Sequence, residues 1–380
     1  MKTIKNIEHL KGVKALVRVD FNVPVANGVV TDDFRMRTAL PTIDFLTGKG
    51  AKVILVSHME SKDGGNPSLE PVVIHLKKLG RAVSFVKHFK VANEFIENEQ
   101  KDGECVLLEN LRIFEGEKAN DDKFARELAS LGDVFVNEAF SACHREHASI
   151  VGVPKYLPSY AGLQLEKEVE NLSRAFNPTH PFLLILGGAK FETKLPLLEK
   201  FINIADSMFV GGALAHDFFK AKGFNIGKSI SFEDRVDLSG YLNNPKVEVP
   251  IDVVTDDRET KASDSLNDDD TIADAGTKTA ELLKNKVSTA HFILWNGPLG
   301  VYEDGFKNAT LELAKMIAER TESGNATSIV GGGDTIAAIE ELNLQNKFTF
   351  ISTGGGAMLE FLAKGSLPGI EALEDSDNSK

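Results

Sequence analysis

Five glycine-rich turns in the second half of the chain each follow an apolar run that is typical of a buried strand. A glycine turn between a strand and a helix lets backbone N–H groups approach an anion closely. Such turns therefore predict a nucleotide cleft that is lined mostly by backbone. The turns lie at 187–190 (GGAK), 211–213 (GGA), 295–300 (WNGPLG), 331–335 (GGGDT) and 352–356 (STGGG).

Charged and polar side chains near strand ends in the first half supply what the glycine turns lack. Arg18, Asp20 and Asn22 alternate along one strand, so they share a face and suit a ligand with both an anion and a hydroxyl. One arginine alone is more often a surface ion pair, but several at strand ends favour a small-anion site. An anion half and a nucleotide half together indicate phosphoryl transfer. The side chains are Arg18, Asp20, Asn22, Arg35, His58, Arg112, His144 and Arg145.

The second half of the chain also contains two lysines that could bind a phosphoryl group and a carboxylate that could bind Mg²⁺. Lys190 and Lys194 are four residues apart, so both lie on one helical face near its N-terminus and can hold a transferring phosphoryl group. Asp334 can hold Mg²⁺ directly or through water, and Thr335 can cap the helix or bond a phosphate. Glu303 can accept hydrogen bonds from ribose hydroxyls. The alternatives are solvated lysines, a tight turn with Asp334 as its N-cap, and a solvated glutamate.

The apolar runs that must position these residues alternate with helical patterns in both halves. Continuous Val/Ile/Leu runs form parallel sheets buried on both faces, so we predict an α/β fold with two doubly wound, Rossmann-like lobes. Ligands of such folds bind beyond the carboxyl ends of the strands. Residues 161–176 are predicted to form one helix that joins the lobes, and the last residues of the acidic tail are predicted to fray. The strand-like runs are 13–19, 52–57, 105–109, 133–137, 182–186, 207–210, 249–254, 291–295, 327–330 and 348–352.

The length and charge of the chain argue against several classes of protein. A length of 380 residues predicts two domains. The net charge of −13 argues against nucleic acid as the main partner. Residues 1–175 carry 24 basic and 25 acidic side chains, whereas 176–380 carry 19 and 31, so the first part suits a free anionic substrate better. No secretory signal or membrane-length apolar run is visible, and Cys105 and Cys143 lack metal-ligand spacing; a cytoplasmic protein with reduced thiols is expected.

One segment imitates a phosphate-binding loop without meeting its requirements. Residues 223–229 (GFNIGKS) have three residues between the glycines, where the P-loop has four, and the segment before them has a helical pattern. No G-x-G-x-x-G opens a helix after a strand, which argues against a nicotinamide dehydrogenase.

Nine ordered strings of residues, spread over both halves, carry a family resemblance. They are VRVDFNVP (17–24), DDFRMRTALPTI (32–43), LLENLR (107–112), NEAFSACHREHASIVGV (137–153), LGGAK (186–190), GGALAHDF (211–218), WNGPLGVYE (295–303), GGGDT (331–335) and STGGGA (352–357). On these strings the chain resembles the phosphoglycerate kinase family along nearly its full length. The resemblance implies reversible phosphoryl transfer between 1,3-bisphosphoglycerate and MgADP, giving 3-phosphoglycerate and MgATP in glycolysis and gluconeogenesis. It implies in-line transfer after the domains close about a hinge.

The resemblance also implies a domain plan and a set of partners. We expect a 3-phosphoglycerate-binding domain at 1–155, an interdomain helix at 156–176 and a nucleotide-binding domain at 177–365. A tail at 366–380 can return to the N-terminal domain. Mg²⁺ is expected to accompany ADP or ATP, no nucleic acid or membrane is expected as a partner, and the enzyme is expected to be a monomer.

The same resemblance implies a role for each candidate residue of the first half. Asp20 and Asn22 would bind the hydroxyl and carboxylate region of the glycerate, and Arg35 would be the catalytic arginine on the carboxyl phosphate. The side chains around the 3-phosphate would be Arg18, His58, Ser61, Lys62, Arg112, His144 and Arg145.

In the second half, the resemblance implies that Lys190 and Lys194 contact the transferring group. Gly332 and Gly333 would donate N–H groups to it, and Asp334 would position Mg²⁺. The residues around the nucleotide would be Gly188, Ala189, Lys194, Gly211, Gly212, Asn296, Pro298, Glu303, Gly331, Gly332, Gly333, Asp334 and Thr335.

Two departures from the family pattern stand out. The family usually has Ser-His-Leu-Gly-Arg-Pro where residues 57–62 read SHMESK, so the arginine is absent at Ser61, and Lys62 is a candidate to replace its charge. Thr193 stands where an acidic residue usually precedes the second lysine. The missing arginine leaves open a nucleotide-binding protein without catalysis, which turnover of 3-phosphoglycerate with MgATP would exclude.

Overall fold

Continuous runs of Val, Ile and Leu form strands that are buried on both faces. In the strand Lys14–Arg18 every residue after the first is buried, which requires helices on both sides of the sheet. The computed structural model describes residues 1–61, 63–232 and 237–378. The chain divides into unit 1, formed by Met1–Glu170 with Lys364–Lys380, and unit 2, formed by Asn171–Ala363.

Unit 1 contains a six-stranded sheet in which all neighbouring strands are parallel. Its strands and those of a small hairpin are β1 Lys14–Arg18, β2 Val25–Ala26, β3 Val29–Val30, β4 Lys52–Val56, β5 Val83–Val86, β6 Cys105–Leu108, β7 Val134–Asn137 and β8 Ser159–Ala161. The strand order is β5-β6-β4-β1-β7-β8, so β1 is central and pairs with β4 and β7. The separate hairpin, β2 with β3, turns at Asn27 and Gly28, both at positive φ.

The helices of unit 1 cover this sheet and close its core. They are α1 Phe34–Gly48, α2 Glu70–Lys78, α3 Ala92–Asn98, α4 Glu115–Lys118, α5 Asp122–Ala129 and, at the division between the units, α6 Leu163–Ser173. The core packs strand residues such as Val17, Leu55 and Val136 against Leu46 of α1 and Leu76 of α2. A short 3₁₀ turn, Arg174–Phe176, continues α6. The helix predicted over 161–176, and expected from 156 on the domain plan, therefore begins only at Leu163, because 159–161 form β8.

Unit 2 repeats the plan with a second six-stranded parallel sheet. Its strands are β9 Phe182–Leu186, β10 Ser207–Val210, β11 Val247–Glu248, β12 Asp252–Thr255, β13 Thr260–Ala262, β14 Ile272–Ala275, β15 Phe292–Asn296, β16 Thr327–Gly331 and β17 Phe350–Ser352. The sheet order is β11-β10-β9-β15-β16-β17. Its helices are α7 Phe191–Phe201, α8 Leu214–Ala221, α9 Ser239–Leu242, α10 Thr277–Thr289, α11 Asn308–Glu322, α12 Gly333–Glu341 and α13 Gly356–Lys364.

One predicted strand belongs to a different sheet. The run at 249–254 was expected in the parallel sheet, but β12 lies in a three-stranded antiparallel sheet of order β13-β12-β14. The edge of the parallel sheet is formed instead by the two residues of β11, which pair with β10. An apolar run specifies burial but not which neighbour a strand pairs with, so the run alone could not distinguish the two sheets.

The tail forms a helix over the residues that the structure describes, and the end of the predicted frayed segment, residues 379–380, lies outside them. Helix α14, Pro368–Asn378, buries Ile370 and Leu373. The N–H of Gly369 donates to the carbonyl of Cys143 at 2.9 Å, which fixes the start of α14 within unit 1. No helix within residues 1–61, 63–232 or 237–378 is both long and apolar enough to cross a membrane.

Candidate functional site

The candidate anion-binding side chains of unit 1 lie at the carboxyl ends of neighbouring strands. Arg18 is the last residue of β1, and His58 follows β4 by two residues. Arg112 follows β6 in a short 3₁₀ turn, and His144 and Arg145 follow β7. Because parallel strands end at one edge of the sheet, residues far apart in sequence meet there.

His58 lies between two guanidinium groups. NH2 of Arg18 is 2.8 Å from Nδ1 of His58, and NH1 of Arg145 is 3.2 Å from Nε2. Burial holds the pKa of His58 well below its usual value, and the nearby guanidinium groups lower it further, so the ring is neutral near pH 7. A neutral imidazole has one N–H and one lone pair, whereas guanidinium only donates. One of the two contacts with His58 therefore sets a donor against a donor, so an acceptor is missing at that contact.

The buried guanidinium of Arg18 is held by a chain of polar groups that the sequence analysis did not identify. Its Nε donates to Oγ of Ser149 at 2.9 Å, and Oγ of Ser149 donates to Oε1 of Glu117 at 2.6 Å. Arg18, Ser149 and Glu117 all have 0% exposure. Glu117 and Ser149 belong to no glycine turn and no strand end, so the signals used above could not find them.

Arg112 has two partners that were also missed. Its NH1 lies 3.2 Å from Nδ1 of His147, and its Nε lies 3.0 Å from Oε1 of Glu60. Burial lowers the pKa of Arg112, and the Glu60 carboxylate opposes that shift. His147 is two residues beyond Arg145 in the same loop, so proximity in sequence was a usable signal for it.

Asp20 and Asn22 lie beyond the end of β1 at Arg18, so the prediction that they alternate with Arg18 along one strand is wrong. With Arg35 they form a second polar group in unit 1. NH1 of Arg35 is 3.1 Å from Oδ2 of Asp20, and the hydroxyl of Ser141 donates to the same carboxylate. Asn22 accepts a hydrogen bond at Oδ1 from the N–H of Glu60 at 3.1 Å. The Arg35 side chain is 38% exposed, so its guanidinium remains accessible from solvent.

Three further candidates of unit 1 are Ser61, His144 and Lys62. The hydroxyl of Ser61 is engaged within its own turn, where it bonds Asp63 and the carbonyl of Gly65. His144 lies beside Arg145, with its Nε2 3.4 Å from Nε of that arginine. Lys62 lies outside the described residues.

The glycine turns of unit 2 pack backbone against backbone. The N–H of Gly188 donates to the carbonyl of Pro298 at 2.7 Å, and a Cβ placed on Gly212 would lie 2.5 Å from the N of Gly188. A Cβ on Gly297 would likewise lie 2.3 Å from the carbonyl oxygen of Gly187. Any larger residue at these positions would force the turns apart.

These turns border a cavity of about 470 Å³ in unit 2. Its wall includes six of the candidates, namely Gly188, Ala189, Gly212, Pro298, Glu303 and Asp334. It also includes residues that the sequence analysis missed, among them His216, Ile230, Tyr302 and the antiparallel stretch 271–273. The glycine pattern predicted the part of the cavity wall that is formed by backbone, but it could not predict the part that is formed by apolar side chains.

Lys194 is buried in the first turns of α7, beneath the turn at Gly188. Its Nζ would lie 3.2 Å from a Cβ on Gly188. Burial lowers the pKa of Lys194 to about 8, and Lys190 adds to the shift, whereas Asp334 opposes it. Lys190 is the exposed N-cap of α7 and lies outside the helix, so the prediction that the two lysines share one helical face is wrong.

Other candidates of unit 2 lie outside the cavity wall. Thr335 has 0% exposure, and its Oγ1 accepts a hydrogen bond from the N–H of Gly297 at 3.0 Å. Asn296 is also buried. A Cβ on Gly331 would lie 2.3 Å from Sδ of Met358. The remaining candidates absent from the wall are Lys190, Lys194, Gly211, Gly332 and Gly333.

Comparisons with known proteins agree on one family. The chain matches the profile of the family described as phosphoglycerate kinase over residues 4–365. The chain belongs to the phosphoglycerate kinase family. A phosphoglycerate kinase of Dictyoglomus turgidum is 45% identical, with 98% of this chain and 99% of that protein covered. One of Borrelia garinii subsp. bavariensis is 42% identical, with 98% and 99% covered.

Solved structures of phosphoglycerate kinases have the same fold. That from Coxiella burnetii aligns with a TM-score of 0.84 at 35% identity and covers 98% of both chains. That from Pyrococcus horikoshii OT3 aligns with a TM-score of 0.87 at 32% identity and covers 100% of both. The predictions of the family and of an α/β fold with two parallel sheets are confirmed. As a member of this family, the chain reversibly transfers a phosphoryl group between 1,3-bisphosphoglycerate and ADP in glycolysis.

Proposed function

We propose that unit 1 binds the glycerate substrate and unit 2 binds the nucleotide in this reaction. The observation that carries the assignment to unit 1 is the position of His58 between Arg18 and Arg145. A phosphate oxygen accepts hydrogen bonds only, so it supplies the acceptor that these donors lack. The side chains assigned to the 3-phosphate end are Arg18, His58, Ser61, Lys62, Arg112, His144 and Arg145.

Asp20, Asn22 and Arg35 are assigned to the reacting end of the glycerate. The carboxylate and amide oxygens accept from the substrate hydroxyl, while the guanidinium of Arg35 pairs with the carboxyl group that carries the transferred phosphate. The ion pair of Arg35 with Asp20 holds the guanidinium while leaving it partly exposed. A guanidinium so placed stabilises charge that develops on the phosphoryl oxygens, which is most of what the protein contributes to phosphoryl transfer.

The cavity of unit 2 is assigned to the nucleotide. Gly188, Gly212 and Pro298 supply flat backbone walls for a base, and Glu303 supplies a carboxylate for ribose hydroxyls. Gly332 and Gly333 present N–H groups at the start of α12, where the helix dipole favours phosphate. Lys190 and Lys194 neutralise the transferring group. The remaining backbone and turn-holding residues assigned here are Ala189, Gly211, Asn296, Gly331 and Thr335.

Asp334 is assigned to Mg²⁺, and the donor set fits that ion. Mg²⁺ is usually bound in proteins by one or two carboxylates with substrate phosphates and water, not by an all-protein cage. Within the part of the chain that the structure describes, no three His, Cys, Asp or Glu side chains cluster as a metal cage. Asp334 on the cavity wall offers the single carboxylate that such a site needs. Mg²⁺ would neutralise phosphate charge there.

Transfer requires that the donor and acceptor phosphoryl oxygens meet. Because the two proposed ligands belong to different units, we propose that the units close on each other when both are bound, and that closure excludes water from the acyl phosphate. Small-angle scattering should give a smaller radius of gyration with both ligands than with either alone. One radius in all four states would contradict closure.

We also propose that the enzyme is a cytoplasmic monomer. Cys105 and Cys143 are both free and buried, which suits a reducing compartment. Sedimentation equilibrium of the purified protein should give the mass of one chain, 41.4 kDa. A dimer mass at micromolar concentration would contradict the monomer.

The assignment of the units is tested with Arg145→Gln. Loss of this guanidinium should raise KM for 3-phosphoglycerate by about tenfold or more, as expected for a charge-assisted contact, and leave KM for MgATP unchanged. Arg81→Gln is the matched control, because Arg81 pairs with Asp44 just before β5, at the amino end of a strand and not at a carboxyl end. An equal rise in both KM values, or none, would contradict the assignment. A wild-type protein that binds MgATP but does not turn over 3-phosphoglycerate would point to a nucleotide-binding protein without catalysis.

A further inference from the structure

A carboxylate lies against the arginine cluster of unit 1, where a substrate anion is proposed to bind. Oε1 of Glu60 is 3.0 Å from Nε of Arg112 and 3.4 Å from Nζ of Lys118. The Arg112 side chain is only 1% exposed, whereas that of Glu60 is 33% exposed, so solvent reaches this ion pair from the Glu60 side alone. The main chain of Glu60 is fixed by the bond from its N–H to Asn22, which keeps the carboxylate at the site.

The sequence around Glu60 makes this contact unusual. The family pattern quoted above has glycine at this position and arginine at the next, where this chain has Glu60 and Ser61. At these two positions the chain therefore has one positive charge fewer and one negative charge more, and Lys62 follows where the pattern has proline. Nothing in phosphate binding by itself calls for a carboxylate here, because a carboxylate and a phosphate repel each other and compete for the same donors.

We infer that Glu60 is a tethered competitor of the substrate anion, which occupies Arg112 and Lys118 until the substrate displaces it. This inference rests on the proposed assignment of unit 1 to the glycerate substrate. Glu60 is one-third exposed, so its carboxylate can rotate into solvent and leave both cations to the incoming ligand. Lys118, which no sequence pattern singled out, becomes available to the substrate in the same movement.

Two consequences follow from competition. Displacement of the carboxylate costs part of the binding free energy of the substrate, so affinity is lower than the cation set alone would provide. The carboxylate can also re-form its ion pair as the ligand leaves, so it assists release. An orienting role predicts the opposite direction, because a carboxylate that holds Arg112 ready for the substrate would increase affinity.

The arrangement of charges supports competition over orientation. Arg112 also contacts His147 at 3.2 Å through NH1, so its guanidinium keeps a second fixed partner without Glu60. Burial tends to raise the pKa of Glu60, but Arg112 and Lys118 hold it below its usual range. The group is thus a full negative charge throughout the working pH range.

The test is the direction of the change in affinity in Glu60→Gln. This variant keeps the shape of the side chain and removes its charge, so KM and the calorimetric Kd for 3-phosphoglycerate should fall about three- to tenfold, the range of a partly exposed ion pair. KM for MgATP should not change. Glu115→Gln is the matched control, because Glu115 is an exposed carboxylate on α4, the helix that carries Lys118. A rise in Kd for 3-phosphoglycerate, or an unchanged Kd, overturns the inference.

A double-mutant cycle separates failure of this inference from failure of the proposed site. If Glu60 acts by competing for Arg112 and Lys118, the effect of Glu60→Gln on Kd should shrink in an Arg112→Gln background and vanish when Lys118→Gln is added. An Arg112→Gln variant that folds, as judged by circular dichroism, but binds 3-phosphoglycerate as wild type does would overturn the proposed site instead. If Arg112→Gln fails to fold, the same double-mutant cycle can be measured with Lys118→Gln, because Lys118 is exposed and its substitution should not disturb the fold. A full Glu60 effect in the presence of both cation substitutions would exclude competition.

Discussion

The ligand sites proposed for the two units are built from different parts of the chain. Unit 1 uses charged side chains from separate strand ends, such as Arg18, His58 and Arg145, which touch one another directly. Unit 2 uses glycine turns whose main chains touch, as Gly188 and Pro298 do. The affinity of a site made of charged side chains depends mainly on their charges. The affinity of a site made of closely packed main chain depends mainly on the volume of the residues at its turns. Substitutions that change charge should therefore act mainly on unit 1, and added methyl groups mainly on unit 2.

The largest effect on the charged site is expected from Arg35→Ala. Its guanidinium is proposed to act on charge that develops in the transition state, so kcat should fall by about a hundredfold or more with a smaller change in KM for MgATP. Arg37→Ala is the matched control, because Arg37 lies on the same helix, is 58% exposed and pairs with Asp33. Initial rates over a grid of both substrates give the two constants. A kcat within about threefold of wild type would remove Arg35 from the transition state.

The backbone site should respond most strongly to one methyl group. In Gly212→Ala the new Cβ meets the N of Gly188, so KM for MgATP should rise about tenfold and the free energy of unfolding should fall by roughly 1–3 kcal/mol. Gly223→Ala is a close control, because Gly223 also has a positive φ but has open space around its Cβ position. It carries the backbone strain without the clash. Equal effects of the two substitutions on nucleotide KM would show that volume does not govern this site.

Asp334 is a charged group whose loss should act on the backbone site of unit 2. Asp334→Asn should raise KM for MgATP by about three- to tenfold, because a neutral amide is a weaker ligand for Mg²⁺, and excess Mg²⁺ should restore part of the loss. Titration of the rate with free Mg²⁺ measures this shift. Asp304→Asn removes an exposed carboxylate near the same cavity and serves as control. An unchanged Mg²⁺ dependence in Asp334→Asn would exclude it from the metal site.

The difference between the units also explains what could be predicted from the sequence. Glycine turns after apolar runs are local, so the amino-acid pattern alone identifies the turns at Gly188, Gly212 and Pro298, and all three border the cavity. The arginines of unit 1 are identifiable because strand ends are local too. The roles proposed for these residues remain to be tested by the substitutions above.

What could not be predicted depends on contacts between distant segments. Glu117 and Ser149 support Arg18 from a short helix and a loop that no sequence period connects to β1. His216 reaches the cavity wall from α8, with its Nδ1 donating to the carbonyl of Ile230 at 2.8 Å. Pairing of β12 in the antiparallel sheet was missed for the same reason, since burial is local in the sequence but pairing is not.

The smallest expected effect is a pH dependence of KM for MgATP that arises from Lys194. This residue combines the features of both sites, because it is a charged side chain that is buried under a glycine turn. Its pKa is lowered to about 8, so its ammonium loses its proton as pH rises through that value. Loss of this charge weakens phosphate binding, so KM for MgATP should rise between roughly pH 7 and pH 9. The rise should be only about threefold, because a bound phosphate raises the pKa of Lys194 and so keeps part of it protonated. Lys194→Arg should flatten this profile, because guanidinium stays charged over the whole range.

Lys200→Arg, at an exposed position on α7, should leave the midpoint where it is in wild type. A wild-type profile with no change near pH 8, or a Lys194→Arg profile with the wild-type midpoint, would show that this lysine does not meet the nucleotide phosphates. In that case the backbone site of unit 2 would bind phosphate with Lys190 and Mg²⁺ as its only cations among the residues assigned to it. Unit 2 would then bind phosphate with fewer charged side chains than the position of Lys194 beneath Gly188 suggests, and it would differ more strongly from the arginine-rich site of unit 1.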